Sequence, residues 1–112
     1  MKHGHSLVIP PHIDRNNYAY WKVRMKAFLK SIDERVWNSV EYGWEKPTTP
    51  VSEWQTSQKE EVAFNSKAMK AIFNAVSMEE FKRIPNVEVT RTAWNILQTL
   101  HKGTKAVKIN KM

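Results

Sequence analysis

Asn17-Tyr18-Ala19-Tyr20-Trp21-Lys22-Val23-Arg24-Met25-Lys26-Ala27-Phe28-Leu29 is the stretch from which the fold of this chain is read. At about 100° per residue, Tyr18, Trp21, Met25, Phe28, Leu29 and Ile32 fall in one apolar arc, with Lys22, Lys26 and Lys30 along its edge. The spacing predicts a core-forming helix with a basic flank over residues 17–32. The chemistry of these aromatic side chains is packing, so information about function lies in what the packed unit is for.

Outward from that helix the chain punctuates itself. Upstream, Pro10-Pro11 and the lack of a helical period predict an extended arm over residues 1–16. Leu7, Val8, Ile9 and Ile13 make it apolar, and the cost of exposing them predicts docking in a groove, preferably of its own domain. Downstream, Asp33 is placed to cap a short helix through Val36, Trp37 and Val40, which Gly43 ends. Pro47-Thr48-Thr49-Pro50 marks a loop. Ser52-Glu53-Trp54-Gln55 has capping-box spacing and predicts the start of a long helix. Val62, Met69, Ile72, Phe73 and Val76 share one face of it, and Ala68, Ala71 and Ala75 form a small-residue face for close approach.

Ser77-Met78-Glu79-Glu80 repeats the box, and Pro85 limits the next helix to about two turns carrying Phe81 and Ile84. A last helix is predicted from Asn86, with Val89, Ala93, Ile96, Leu97 and Leu100 inward and Trp94 at the border, ending at Gly103. No strand pattern competes. The expectation is an all-α single domain of about five helices over residues 17–103, with 104–112 the basic start of a following helix or tail. Its predicted core is Tyr18, Trp21, Met25, Phe28, Trp37, Met69, Phe73, Phe81, Trp94, Leu97 and Leu100.

Composition narrows the function classes. With 112 residues and 41% hydrophobic content the chain suits one core. The absence of cysteine removes zinc knuckles, thiol catalysis and iron–sulfur ligation from within it. No apolar run approaches the roughly 20 residues of a membrane span, and residues 1–6 lack the apolar segment of a signal peptide. The expected location is therefore the cytoplasm, or more broadly the cell interior including the nucleus. Of the net charge of +7, Lys102, Lys105, Lys108 and Lys111 account for a large part without an opposing acid. The basicity reads as a tail property over an ordinary surface, and as a weak, non-specific contact to RNA at most.

His3 and His5 have spacing suited to adventitious copper or nickel, and no metal site or cofactor is expected. No nucleophile, base and orienting group occur at helical spacing, so no catalytic residue is assigned and the chain is not expected to be an enzyme. Trp44 and Trp54, flanking the proline loop, are expected first to pack on each other and on the second helix, and are candidate interaction residues together with Leu7, Val8 and Ile9.

The order of residues carries a resemblance as well. Asn17-Tyr18, Trp21-Lys22, Met25 and Phe28-Leu29, followed by Trp37, Val40-Glu41, Gly43-Trp44 and Pro47, are similar to the start of Gag from copia-type retrotransposons, especially plant ones. Asn65-Ser66-Lys67-Ala68, Ile72-Phe73, Val76-Ser77, Glu80-Phe81-Lys82, Ala93-Trp94, Leu97, Gly103-Thr104-Lys105 and Val107-Lys108 resemble its later blocks in the same order. The chain departs from that pattern at Ile13, Arg15, Thr90-Arg91-Thr92 and His101-Lys102, all read as surface or arm positions. The resemblance implies a fold like the capsid N-terminal lobe. It also implies a structural role in protein–protein assembly, with partners that are copies of the chain or other Gag-like chains. A domesticated module that binds a peptide or protein partner is the alternative. The family's Gag continues into a second helical lobe and a cysteine-rich knuckle, neither of which lies within these residues, so functions needing them are not carried over.

Overall fold

A computed structural model describes residues 9–13 and 15–110, with side chains for 9–13 and 16–101. Among these residues the secondary structure is entirely helical: α1 (Tyr18–Ile32), α2 (Glu34–Glu41), α3 (Thr56–Ala75), the single turn α4 (Met78–Phe81) and α5 (Thr90–Asn110), with 3-10 turns at Arg15–Asn17 and Val51–Glu53. The protein is therefore a small all-α domain.

Local chemistry explains most boundaries. The Asp33 carboxylate accepts from the Arg35 amide at 2.8 Å and opens α2. Gly43, at φ +83°, takes the left-handed conformation just past the end of α2. A Cβ there would stand 3.0 Å from the Arg91 side chain. Arg91 needs that approach, because its guanidinium donates to the Val40 and Glu41 carbonyls and so satisfies the exposed end of α2 from a distant helix. The Ser77 hydroxyl accepts from the Glu80 amide at 3.2 Å, while Glu80 Oε1 accepts from the Ser77 amide, closing the predicted box around α4.

The short α2 is the hub: it packs on α1, α3 and α5 and buries Val36, Trp37, Ser39 and Val40. The buried set contains six of the predicted core residues: Trp21, Met25, Trp37, Met69, Trp94 and Leu97. The other five, Tyr18, Phe28, Phe73, Phe81 and Leu100, are half-buried against it. Ala68, Ala71 and Ala75 are all buried, as their close-approach face predicts. The aromatic rings form a ladder across helices. Tyr18 stacks on His101 with centroids 4.4 Å apart, Trp21 lies 5.7 Å from Tyr18 and 5.5 Å from Trp94, and Trp37 meets Trp94 edge-on at 5.4 Å.

Several expectations are corrected. The long helix starts at Thr56, not near Ser52. Ser52 lies in the 3-10 turn, Trp54 is extended, and Gln58 Oε1 accepts from the Gln55 amide at 2.8 Å. The last helix starts at Thr90 instead of Asn86 and runs through Gly103 to Asn110, so residues 104–110 continue it. α4 has one turn, not two. Ile32 is 43% exposed, because the chain turns away at Asp33 as α1 ends.

The departures read as surface or arm are in part structural. Ile13 is 4% exposed, and its amide donates to the Ala75 carbonyl at 2.8 Å. Thr90 is fully buried. The His101 side chain is 8% exposed, with Nε2 lying 2.6 Å from Glu80 Oε2.

Candidate functional site

The buried polar network comes first, since it positions everything around it. Asn65 projects from α3 in register with Val62 and Met69 and is 3% exposed. Its Oδ1 accepts from the Thr90 amide at 2.8 Å, and its Nδ2 donates to the Glu88 carbonyl at 2.7 Å. Thr90 Oγ1 donates back to the Asn65 carbonyl at 2.8 Å. A side chain of α3 thus caps the first turn of α5 and pins Val87-Glu88-Val89 across it. Sequence reasoning missed this role. The available signal was a polar residue on the apolar face of the long helix.

With those residues fixed, a groove of about 690 Å³ opens between the long helix and the segments at either end of it. Val62, Met69 and Phe73 of α3 form its floor. Trp44, Val51, Trp54 and Val87 line it as well. Its polar lining is Asn65, Ser66, Lys70 and Asn74 of α3 with Lys46 and Glu88, which pair at 3.1 Å. Such a mostly apolar concavity with a few polar groups is how binding sites are commonly built.

The two indoles are held differently. Trp54 Nε1 donates to the Thr49 carbonyl at 2.9 Å, which fixes the ring against the proline loop. Trp44 Nε1 is shielded from solvent and has no hydrogen-bond partner among the described residues. Neither indole joins the ring pairs of the interior. Trp44 also lines a second, more polar groove of about 810 Å³, bounded by α2, the start of α3 and the start of α5.

The structure brings Trp44 and Trp54, two of the candidate interaction residues, into one site. Ile9 is 67% exposed, so the arm touches its own domain further along. There Trp21 Nε1 donates to the Pro11 carbonyl at 2.8 Å, and Ile13 is inserted. Leu7, Val8, His3, His5 and Lys111 lie outside the described residues, as do the side chains of Lys102, Lys105 and Lys108. Among the described residues no group of three or more His, Asp or Glu is placed to hold a metal ion, and no helix is long and apolar enough to cross a membrane.

Electrostatics at the domain's ends are local. Hydrogen bonds from the Arg35 side chain and backbone amide pull the Asp33 carboxyl down to about 2. Burial, with a smaller push from Glu80, raises the Tyr18 hydroxyl above its ordinary range. That hydroxyl is shielded and unpaired among the described residues. Compared with known proteins, the chain matches no family model, no curated protein and no solved structure.

Proposed function

We propose that this domain is a structural assembly module that joins copies of itself or closely similar chains, in the manner of the capsid N-lobe of a copia-type Gag. The observation that carries the reading is the groove beneath Trp44 and Trp54. Two large indoles beside Val62, Met69 and Phe73 are a small aromatic centre, open to solvent in the single copy, of the kind that dominates protein–protein contacts once a partner covers it. The order of the Asn-Tyr, Trp-Lys, Gly-Trp and Ala-Trp blocks supports the same assignment.

One modest patch gives weak association, so the chain is expected to be monomeric at micromolar concentration and to dimerise only when concentrated. Sedimentation velocity over a concentration series at high salt, where apolar contacts persist, measures this. Trp54→Ala and Val62→Glu should each abolish the concentration dependence while leaving the helical circular dichroism unchanged. Association that survives both substitutions would remove the groove from the assignment. Strong capture of an unrelated peptide in the groove, without self-association, would favour the domesticated module instead.

A further inference from the structure

The net charge of the chain conceals a segregation. Helix α1 carries Lys22, Arg24, Lys26 and Lys30 and no acid, whereas seven of the eleven acidic residues lie between Asp33 and Glu61. The basicity is therefore not confined to the tail, contrary to the reading from composition. It is masked in the total because the acids are gathered on the next two helices and their connection.

Both regions present a surface. Ala19, Val23 and Ala27 recur at i, i+4 and i+8 along the exposed side of α1, with Val23 68% and Tyr20 62% exposed. Arg24 stands over the Tyr20 ring at 5.5 Å on one border, Lys26 over the Trp37 ring at 5.3 Å on the other, and Lys30, paired with Glu34 at 3.5 Å, closes the strip at its C-terminal end. This is a flat apolar strip framed by cations. The groove of about 810 Å³ is its complement, lined by Glu45, Glu60 and Glu61 together with Tyr42 and Phe64. The two cations in that groove are already engaged. Arg35 pairs with Asp33 at 3.0 Å and covers the Phe64 ring, and Arg91 is spent on the end of α2. The ion pairs among the described residues use other carboxylates, leaving Glu45, Glu60 and Glu61 outside them.

We infer that the exposed face of α1 of one copy docks in the acidic groove of the next, head to tail. No residue of α1 lines that groove, so one copy uses both surfaces at once and the contact is heterologous. Pairing α1 with a second α1 would oppose like charges, which selects against the symmetric alternative. A heterologous contact propagates, into a ring if its rotation closes and a filament if it does not. The inference rests on the assembly reading and adds to it a second, salt-dependent interface.

Two one-sided variants test it. Val23→Glu with Arg24→Glu spoils the donating face, and Glu60→Lys with Glu61→Lys spoils the groove. All four side chains are exposed, and circular dichroism checks that both variants fold. At low salt each variant alone should lose the salt-sensitive part of its association, while an equimolar mixture should regain it, since one good face and one good groove remain and the two reversed surfaces also carry opposite charges. Wild-type association should weaken at least about tenfold between roughly 50 and 500 mM salt. Variants that associate like wild type, or a mixture that stays monomeric, would overturn the inference. So would an α1 variant that loses only retention on RNA. Trp54→Ala, which lies outside the acidic groove, separates the two interfaces. Low-salt association that survives it but not the charge reversals keeps the head-to-tail contact, whatever becomes of the tryptophan groove.

Discussion

Trp21, Trp37 and Trp94 sit ring against ring between α1, α2 and α5, whereas Trp44 and Trp54 stand beside a groove open to solvent. The first three are at most 8% exposed. Two of them have their N–H groups paired within the domain, Trp21 with the Pro11 carbonyl and Trp37 with the Glu41 carboxylate at 2.6 Å. The other pair is carried by the connection between α2 and α3, with one donor tied to its own loop and the other unpaired. The same residue type thus fills the interior when it rides on a helix and borders an open groove when it rides on the connection between helices. What decides between them is the backbone that carries the ring.

The largest effect expected from breaking this contrast is in the interior. Trp21→Ala removes the ring that joins Tyr18 to Trp94 and the donor that holds the arm, and should cost about 3–5 kcal/mol in a urea melt. A change below about 1 kcal/mol would mean that the ladder is not a core. Asn65→Ala comes next, at about 2–3 kcal/mol, because it leaves the Thr90 amide and the Glu88 carbonyl without their buried partner. Amide exchange at the start of α5 should accelerate with it. Exchange that stays as slow as in wild type would show that water or backbone replaces the cap. Trp54→Ala should change stability by less than about 1 kcal/mol, since its ring bounds a groove instead of filling a cavity.

The smallest effect is electrostatic and tests the hinge between α1 and α2. Because the Asp33 carboxyl is depressed to about 2 in the folded domain, its contribution is complete above its unfolded value near 4. It is lost as pH falls through about 2. An Asp33→Asn variant should therefore be less stable than wild type at pH 7 and converge with it at the acid end. A gap between the two that stays constant across that window would assign the stabilisation to something other than the carboxylate.

Much of the fold was legible because its causes are local. The arc of α1 is read within one helix, and the Asp33 and Ser77 caps and the left-handed Gly43 each within one turn. The errors lie where the deciding partner is remote. Ser52 and Gln55 have the same box spacing, and the choice falls on Gln55 because Trp54 is extended and its indole is bonded to the Thr49 carbonyl. The start of α5 is set by Asn65, 25 residues upstream, which no local window contains. Gly103 reads as a stop, yet a glycine inside a helix costs only about 1 kcal/mol relative to alanine, and α5 passes through it. The site was half legible. Trp44 and Trp54 could be named as candidates, but the groove they share needs Val87 from a segment more than 30 residues away. The charge segregation was present in the sequence and hidden by counting it as a total.

The most direct test follows the five indole N–H signals in proton–nitrogen spectra while the labelled chain is diluted at high salt. Trp44 and Trp54 should shift together with concentration, with Trp21, Trp37 and Trp94 unmoved. Shifts confined to the interior three, or five signals that ignore concentration up to millimolar protein, would contradict the claim that the loop tryptophans are where this domain meets its partner.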